Sequence, residues 1–439
     1  MENFFPEILI TYLWCFRQAF SATGFPYFQG FIAAQLLSGS RKTVTQIATV
    51  CFFIDKSLSS WERFLSQAQW SMPLVIEPLI VLVVKELGSG LLYAGSYLLA
   101  VDTTSVAKVM GRLLGVQKWS ERRSPTDKGE TVIGHHWAIC GVLSRFGNLW
   151  RCFPLMTKLI SGQQHPFEFV VTSQGEVHPI RFWESILSMI RQVSQSLDPS
   201  RLIVVADAYF SKAAFLNPLM QAGISVVTRL RKDAVGWEDP HYNGRGRPPK
   251  RGKQWKLAHL IHHFPLCSVG VTLYGHTHTV SYVTRELWLR DLKQKVKVVI
   301  IATKSHPILL VSTQCALTPQ QIIEIYGARF ALELTIRDLK QHLGLGDYQL
   351  TTPIAFLRFA QLCCCAATLG RLILCRSQVL PFFDASPADK TELVEGSLTR
   401  LRRSLFRFVI TRFLSQKSAP DADVEKNRPE LEAMVRLAA

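Results

Sequence analysis

The chain has 439 residues, with 50 lysines and arginines against 33 aspartates and glutamates, a formal charge of +17. Hydrophobic residues make up 48% and charged residues 19%, which excludes a largely disordered chain and gives material for roughly two to four folded domains. The basic excess runs along the whole sequence and points to a polyanionic partner, because each neutralised phosphate releases counterions; a basic membrane-surface protein would carry the same sign.

Residues 1–95 read as helical. Ser40 to Ala48 looks like a capped helix start with an amphipathic continuation, and residues 59–72 carry Trp61, Phe64, Leu65 and Ala68 at helical spacing. Ser59 and Glu62 have the spacing of a capping box. A small structural bundle and a domain that binds DNA ends both fit this region. The start carries Glu2 and Glu7 in place of a basic segment and apolar core, so no secretory signal is expected. The most apolar stretches, residues 73–84 and 90–101, are interrupted before about 18 residues, so no membrane span is expected either.

From Ser96 the pattern becomes strand-like. Residues 96–104 read as a buried strand ending in polar residues, with Asp102 at its polar end. Residues 117–130 read as a polar loop. Residues 135–144 and 149–155 form a predicted hairpin turning at Arg145-Phe146-Gly147-Asn148, and residues 179–197 a long amphipathic helix. A strand over 201–207 ends in Asp207. A helix over 211–223, opened by Ser211 and closed by Gly223, leads to a strand over 224–230. Three hairpin-linked strands followed by a strand–helix–strand unit predict a mixed sheet with helices packed on it, an α/β class. Residues 232–315 interrupt that pattern with a basic loop and β-like runs, and read as a β-rich insertion. A helix is expected over 319–343, and residues 353–439 read as mainly helical with a polar tail from Pro420.

The chemistry concentrates on three carboxylates. Asp102 and Asp207 each follow an apolar strand, and burying such a group unpaired is costly, so each should face a cleft. Tyr326, Arg329, Glu333, Arg337 and Lys340 are offset by 3, 4, 4 and 3 residues, which places them in one stripe of a helix. An ordinary solvated face with Arg–Glu pairs has the same spacing. Phosphoryl transfer on DNA supplies a link between the stripe and the aspartates. It needs two hard cations about 3.5–4 Å apart, and magnesium takes oxygen ligands, typically a few carboxylates. Arg329 and Lys340 beside Glu333 suit flanking phosphates, arginine through bidentate contacts. Tyr326 can hydrogen-bond a phosphate or stack near a terminal nucleotide.

The pattern Tyr326-x2-Arg329-x3-Glu333-x6-Lys340 resembles the YREK signature of bacterial insertion-sequence DDE transposases, in the group named after insertion sequence four. Val101-Asp102-Thr103 and Asp207-Ala208-Tyr209-Phe210 resemble the acidic motifs upstream of it. The resemblance covers residues 96–350 well. It implies an RNase H-like catalytic core over 96–231 and 316–350, interrupted by a β-rich insertion over 232–315. Helical regions flank that core, an N-terminal DNA-binding region over 1–95 and a C-terminal one over 351–439. Asp102, Asp207 and Glu333 would then be the catalytic triad, holding two Mg²⁺ ions, with Mn²⁺ able to substitute. Tyr326, Arg329, Arg337 and Lys340 would contact DNA. The implied partners are double-stranded DNA, as element ends and target, and a second copy of the chain, in a bacterial cytoplasm with no membrane. Water would attack at the element end, and the freed 3′-hydroxyl would attack target DNA or first the opposite strand, forming a hairpin. Some members hold a flipped base with an insertion-domain tryptophan, and Trp237, Trp255 and Trp288 lie in that region. A transposase-derived DNA-binding protein without activity and an RNase H-like structure-specific nuclease are the alternatives.

Other features are weaker. Residues 244–253 are the most basic segment, and Arg245-Gly246-Arg247-Pro248 resembles an AT-hook with Gly244 where a proline normally stands. With Lys250 and Arg251 it is read as contacting the DNA backbone. His135-His136 and His262-His263 are read as structural. Residues 400–412 hold five arginines among apolar residues, an amphipathic helix for DNA or a partner protomer. The ten cysteines form no Cys-x-x-Cys pair and no zinc pattern, and read as small buried hydrophobes in a reducing compartment.

Overall fold

A computed structural model describes residues 5–51, 54, 56–108, 113–121, 130–162, 166–171, 177–242, 244, 249–376 and 398–417. Helices α1 (Glu7–Trp14), α2 (Phe25–Leu37), α3 (Val44–Val50), α4 (Leu58–Ser66) and α5 (Pro73–Leu87) lead into strands β1 (Leu92–Tyr93), β2 (Ser96–Ala107), β3 (Gln117–Glu121), β4 (Glu130–Phe146), β5 (Leu149–Leu159), β6 (Phe169–Val171) and β7 (Val177–Pro179). Then come α6 (Phe182–Ser194), β8 (Leu202–Ala206), α7 (Ala213–Gln221), β9 (Ser225–Arg229), β10 (Val235–Trp237), β11 (Gln254–Lys256) and α8 (Leu260–His263). Strands β12 (Cys267–Leu273), β13 (His276–Leu289), β14 (Lys295–Ile301) and β15 (Ile308–Ser312) precede α9 (Pro319–Ala328), α10 (Phe330–Gln341), α11 (Pro353–Cys375) and α12 (Leu398–Lys417).

The centre of the sheet follows from its apolar runs. β8 is buried at every position, and Leu98 to Val101 of β2 are fully buried, as strands covered on both faces must be. β2 pairs parallel with β8, and β8 parallel with β9. On its other side β2 pairs antiparallel with β4, and β4 with β5. The turn between β4 and β5 is possible because Gly147 takes a positive φ of 57°. The resulting order β5-β4-β2-β8-β9, flanked by helices, fits a general RNase H-like fold.

Strand alternation assigns the two faces. Thr104 Oγ1 accepts from Lys340 of α10, whereas His136, bonded to the next residue Ser105, lies against Phe182 of α6. The carboxylate helix and the α6 helix therefore cover opposite faces.

Residues 232–315 contribute the expected β-rich segment, but its strands do not form a sheet of their own. β15 pairs with β9, and β14, β13, β10 and β11 continue outward, so thirteen of the described strands join in one sheet. A small second core of Leu257, Leu260, Val283, Leu287, Val296 and Val298 lies on this extension. The order of pairing is set by long-range contacts and leaves no mark in local spacing.

The amino-terminal helices pack around aromatic residues Phe20, Phe28, Phe31, Trp61, Phe64 and Trp70 and against α11. α11 is long and apolar enough to cross a membrane, and 94% of its most apolar window is buried within the fold. Arg358 and Arg371 interrupt its apolar sequence, which hid it from a count of uninterrupted apolar residues. Arg358 donates to the carbonyls of Leu65 and Trp70, and Arg371 donates to the Cys152 carbonyl, the Thr335 hydroxyl and Asp338. In α12, Leu401, Leu405 and Val409 are buried at four-residue spacing, and Arg402 donates to the Ser38 carbonyl.

Local expectations needed correction in several places. Ser59 is not a cap: α4 begins at Leu58, so Ser59 lies inside the first turn, and the helix ends at Ser66 well short of residue 72. Part of the expected 117–130 loop is strand β3, because Gln117 to Glu121 pair with Glu130 to Gly134. Asp102 does not end its strand; β2 runs on to Ala107 along β4. Ser211 does not open α7, whose N-cap is Lys212. The predicted helix over 319–343 is two helices meeting at Arg329. Six cysteines are buried as expected, but Cys15 and Cys267 are exposed and Cys315 and Cys375 half-buried.

Candidate active site

The parallel ladder between β2 and β8 ends at Ala100 opposite Val205. Asp102 stands two residues further along β2, and Asp207 follows the last residue of β8. The two carboxyls are close enough for the charge of Asp207 to act on Asp102. Asp102 Oδ1 accepts from the Thr103 N–H at 2.8 Å, and its side chain is 19% exposed. Asp207 caps the short turn that follows it, Oδ1 accepting from the Tyr209 N–H at 2.9 Å, while its carbonyl accepts from the buried Thr228 hydroxyl.

Glu333 arrives from the far end of the chain. A capping box of Thr318 and Gln321 starts α9. At its end the Arg329 N–H bonds to Tyr326 O, and Leu332 N–H to Arg329 O. These three-residue steps tighten the helix to a 3₁₀ turn, which often marks a functional joint. Arg329 sits at that joint and spans two carboxylates. One terminal nitrogen lies 2.6 Å from Glu333 Oε1 and the other 3.5 Å from Asp102 Oδ2.

Electrostatics at the site follow from this crowding. Burial, and then the neighbouring charge of Asp207, push the Asp102 carboxyl up to about 7, against the opposing pull of the Thr103 N–H and Arg329. Burial raises Asp207 as well, opposed by the Tyr209 N–H and Arg329. Burial alone would weaken the charge of Arg329, but Tyr326, Glu333 and Asp102 outweigh it and hold the guanidinium protonated.

The remaining residues of the stripe divide. Lys340 Nζ donates to Thr104 Oγ1 at 3.2 Å and to Ser105 O at 2.9 Å, fixing it on β2 beside Asp102. Tyr326 has its ring 5.5 Å from the Arg329 guanidinium carbon; burial raises its hydroxyl, and Arg329 and Arg229 pull the other way. Arg337 is not brought to the carboxylates. Its side chain is 59% exposed, 4.0 Å from Asp338, and lines a cleft with Trp150, Arg151 and Arg371 behind α10. Within α10, at about 100° per residue, Arg337 falls about 40° to one side of Glu333 and Lys340 about 20° to the other, and only Lys340's side reaches β2. Arg229, at the carboxyl end of β9, acts on Tyr326 by its charge and was not singled out from the sequence, where it is followed closely by Arg231 and Lys232.

The basic segment and the tryptophans also find places. Arg245 and Arg247 lie outside the described residues. Lys250 is exposed, and the Arg251 guanidinium sits 4.3 Å from the Trp237 ring. Trp255 donates to Glu238 and packs on Phe264, and Trp288 donates to Asp239. All three tryptophans are thus engaged within the insertion. His135 is fully buried, bonded to Tyr348 and the Leu114 carbonyl.

A family model described as DDE superfamily endonuclease matches residues 15–263. The chain belongs to the DDE superfamily of endonucleases. The match takes in Asp102 and Asp207 and ends before Glu333. No curated protein matches the chain. Membership implies a DNA substrate, a nuclease or transposase type of activity, and divalent metal, which enzymes of this superfamily generally use.

The donor set suits such a metal. Two Asp and one Glu are hard oxygen donors, and the raised Asp102 and Asp207 carboxyls are charges that a divalent cation would relieve. Among the described residues no three His, Cys, Asp or Glu side chains stand grouped as a ready ligand set. The reason is visible in the pairs just described: Arg329 stands between Asp102 and Glu333. A cation held by both carboxylates would require Arg329 to release at least one of them.

Proposed function

We propose that this endonuclease is a transposase of the YREK, insertion sequence four-like group, cutting DNA at the ends of its element and joining them to target DNA. Asp102, Asp207 and Glu333 are its catalytic and metal-holding triad. The observation that supports the reading is the pair of contacts made by Arg329, 2.6 Å from Glu333 and 3.5 Å from Asp102, with the charge of Asp207 acting on Asp102.

The three carboxylates would hold two divalent cations, Mg²⁺ or Mn²⁺, which supply activation of the attacking oxygen and stabilisation of the leaving one. The chain's own residues do the positioning. Arg329, once released, offers a fork to a phosphate, and Lys340 places a point charge beside Thr104. Tyr326 hydrogen-bonds a phosphate near Asp207. Lys250 and Arg251, with Arg245 and Arg247, hold flanking backbone. Residues 1–95 bind element ends, 96–231 and 316–350 form the core, 232–315 the insertion and 351–439 the carboxy-terminal region. The working complex is a dimer on DNA in the bacterial cytoplasm.

A structure-specific endonuclease is the second reading, favoured by a family description that stops at endonuclease. Incubating the protein and Mg²⁺ with duplex carrying the flanks of its own gene, plus target plasmid, separates the two. A transposase yields 3′-hydroxyl ends covalently joined to the plasmid, visible by junction sequencing. Cleavage at branched or distorted DNA with no joined product would overturn the transposase reading.

A further inference from the structure

A run of partly exposed rings starts at the turn after Asp207, continues over the α6 face of the sheet, and has no part in the chemistry described above. Trp119 stacks on His136 with centroids 4.4 Å apart. His136 lies 6.5 Å from Phe182, and Phe182 meets Tyr209 edge-on at 5.4 Å. Trp183 lies 5.2 Å from Tyr209 on the other side. The rings come from four separate segments, so no local pattern announces them.

The run is joined to the site at two points. Tyr209 follows Asp207 by two residues and donates its N–H to Oδ1. The His136 ring is 3.0 Å from Ser105 Oγ, and the Ser105 carbonyl accepts from Lys340. Beneath it, Phe210 and Phe215 are closed from solvent, whereas Tyr209 is 50% exposed. Phe182, Trp183 and Trp119 rest one side on the core, and Tyr209 stands furthest into solvent. Exposed cations stand next to two of the segments: Arg181 before Phe182, and Lys212 just after the turn. A cleft of about 270 Å³ opens at the same place, with Gly162, His178, Arg181 and Phe182 in its walls.

Ring faces flanked by cations, beginning at a phosphoryl-transfer site, match one ligand class. Unpaired bases stack on aromatic side chains regardless of sequence, while cations follow the backbone. We propose that Tyr209 and Phe182, continued by His136 and Trp119, form a stacking platform for unpaired bases of the DNA strand that passes the carboxylates. This rests on the reading of the site as one that cuts DNA.

The test uses the full chain in EDTA, where binding proceeds without cleavage. Anisotropy gives the affinity for a 20-nucleotide oligothymidylate and for a duplex of equal length, and 2-aminopurine within the single strand reports stacking. Variants are Tyr209→Ala and Tyr209→Trp, with thermal melts to establish that both fold. The expected result is about tenfold weaker single-strand binding and loss of 2-aminopurine quenching in Tyr209→Ala, the fold-change of roughly one stacked base. Tyr209→Trp restores both, and duplex affinity stays within about twofold. Equal single-strand affinity and quenching in Tyr209→Ala and wild type, with DNA binding and Mg²⁺-dependent cleavage intact, would overturn the platform and leave the DNA-cutting reading standing. Wild type binding neither DNA would sink both.

Discussion

Arg329 and Glu333 form a 2.6 Å ion pair on one turn of helix, and the same guanidinium reaches 3.5 Å to Asp102, 227 residues earlier in the chain. On the proposed triad, arginine and metal would compete for the same oxygens. Replacing Arg329 with Gln should raise the affinity of DNA-free protein for Mn²⁺ by about tenfold, the scale of one charge-assisted contact. DNA cleavage should fall, because the fork that holds the phosphate is gone. Electron paramagnetic resonance titration of free Mn²⁺ measures the first effect, and an unchanged affinity would show that the arginine does not guard the site.

The Asp102 carboxyl carries a pH signature. Its folded-state value of about 7 lies above the ordinary 3.8, so the unfolded chain gives up its proton first as pH rises. Ionising it in the fold costs nothing below about pH 4, increasingly more up to pH 7, and a constant amount above. In EDTA, Asp102→Asn should be more stable than wild type by on the order of 2–4 kcal/mol at pH 8. The gain should vanish near pH 4. Chemical denaturation across that range checks it, and a destabilised variant at pH 8 would contradict the repulsion with Asp207.

His135 has the opposite sign. Its Nε2–H donates to the Leu114 carbonyl at 2.9 Å, which leaves Nδ1 to accept from the Tyr348 hydroxyl at 2.6 Å. Burial pushes its value down to about 4. Stability from this neutral ring is complete above pH 6.5 and is lost as pH falls toward 4, by up to about 3 kcal/mol. The loss between pH 7 and 5 should shrink in His135→Gln, measured against the variant's own stability at pH 7.5. An unaltered slope would assign the acid sensitivity elsewhere.

Glu324 holds β12 to helix α9. It is buried on α9, accepts from the Tyr93 hydroxyl and the Thr272 N–H, and lies 3.5 Å from Arg145. Next to it, Leu273 packs close over Gly327 and Tyr274 meets Phe330 at 5.3 Å. Glu324→Ala should cost about 1–3 kcal/mol by leaving the Tyr93 hydroxyl and the Thr272 N–H without their acceptor. It should also speed proteolysis at the β12–β13 turn, where Tyr274 and Gly275 stand at positive φ. Wild-type cleavage kinetics at that turn would contradict the anchoring.

Much of the site was legible in the sequence because charge at the end of an apolar run is expensive unless it faces a cleft. That marked Asp102 and Asp207, and the spacing around Glu333 marked Arg329 and Lys340. Arg337 could not be separated from them, since it lies within about 40° of Glu333 on the same helix and spacing alone does not say where the cleft ends. The strands of 232–315 were visible, but their joining to β9 through β15 was not, because pairing partners lie far apart. The rings of Trp119, His136, Phe182 and Tyr209 meet only after folding.

The assignment of Asp102, Asp207 and Glu333 as one metal-holding triad is tested most directly by Mg²⁺-dependent cleavage of end-containing duplex, comparing wild type with Asp207→Asn and Glu333→Gln. Both variants should keep wild-type DNA affinity in EDTA and lose cleavage by at least about a thousandfold, each by removing a ligand of the same centre. Cleavage at the wild-type rate in either variant, Glu333→Gln above all, would contradict it.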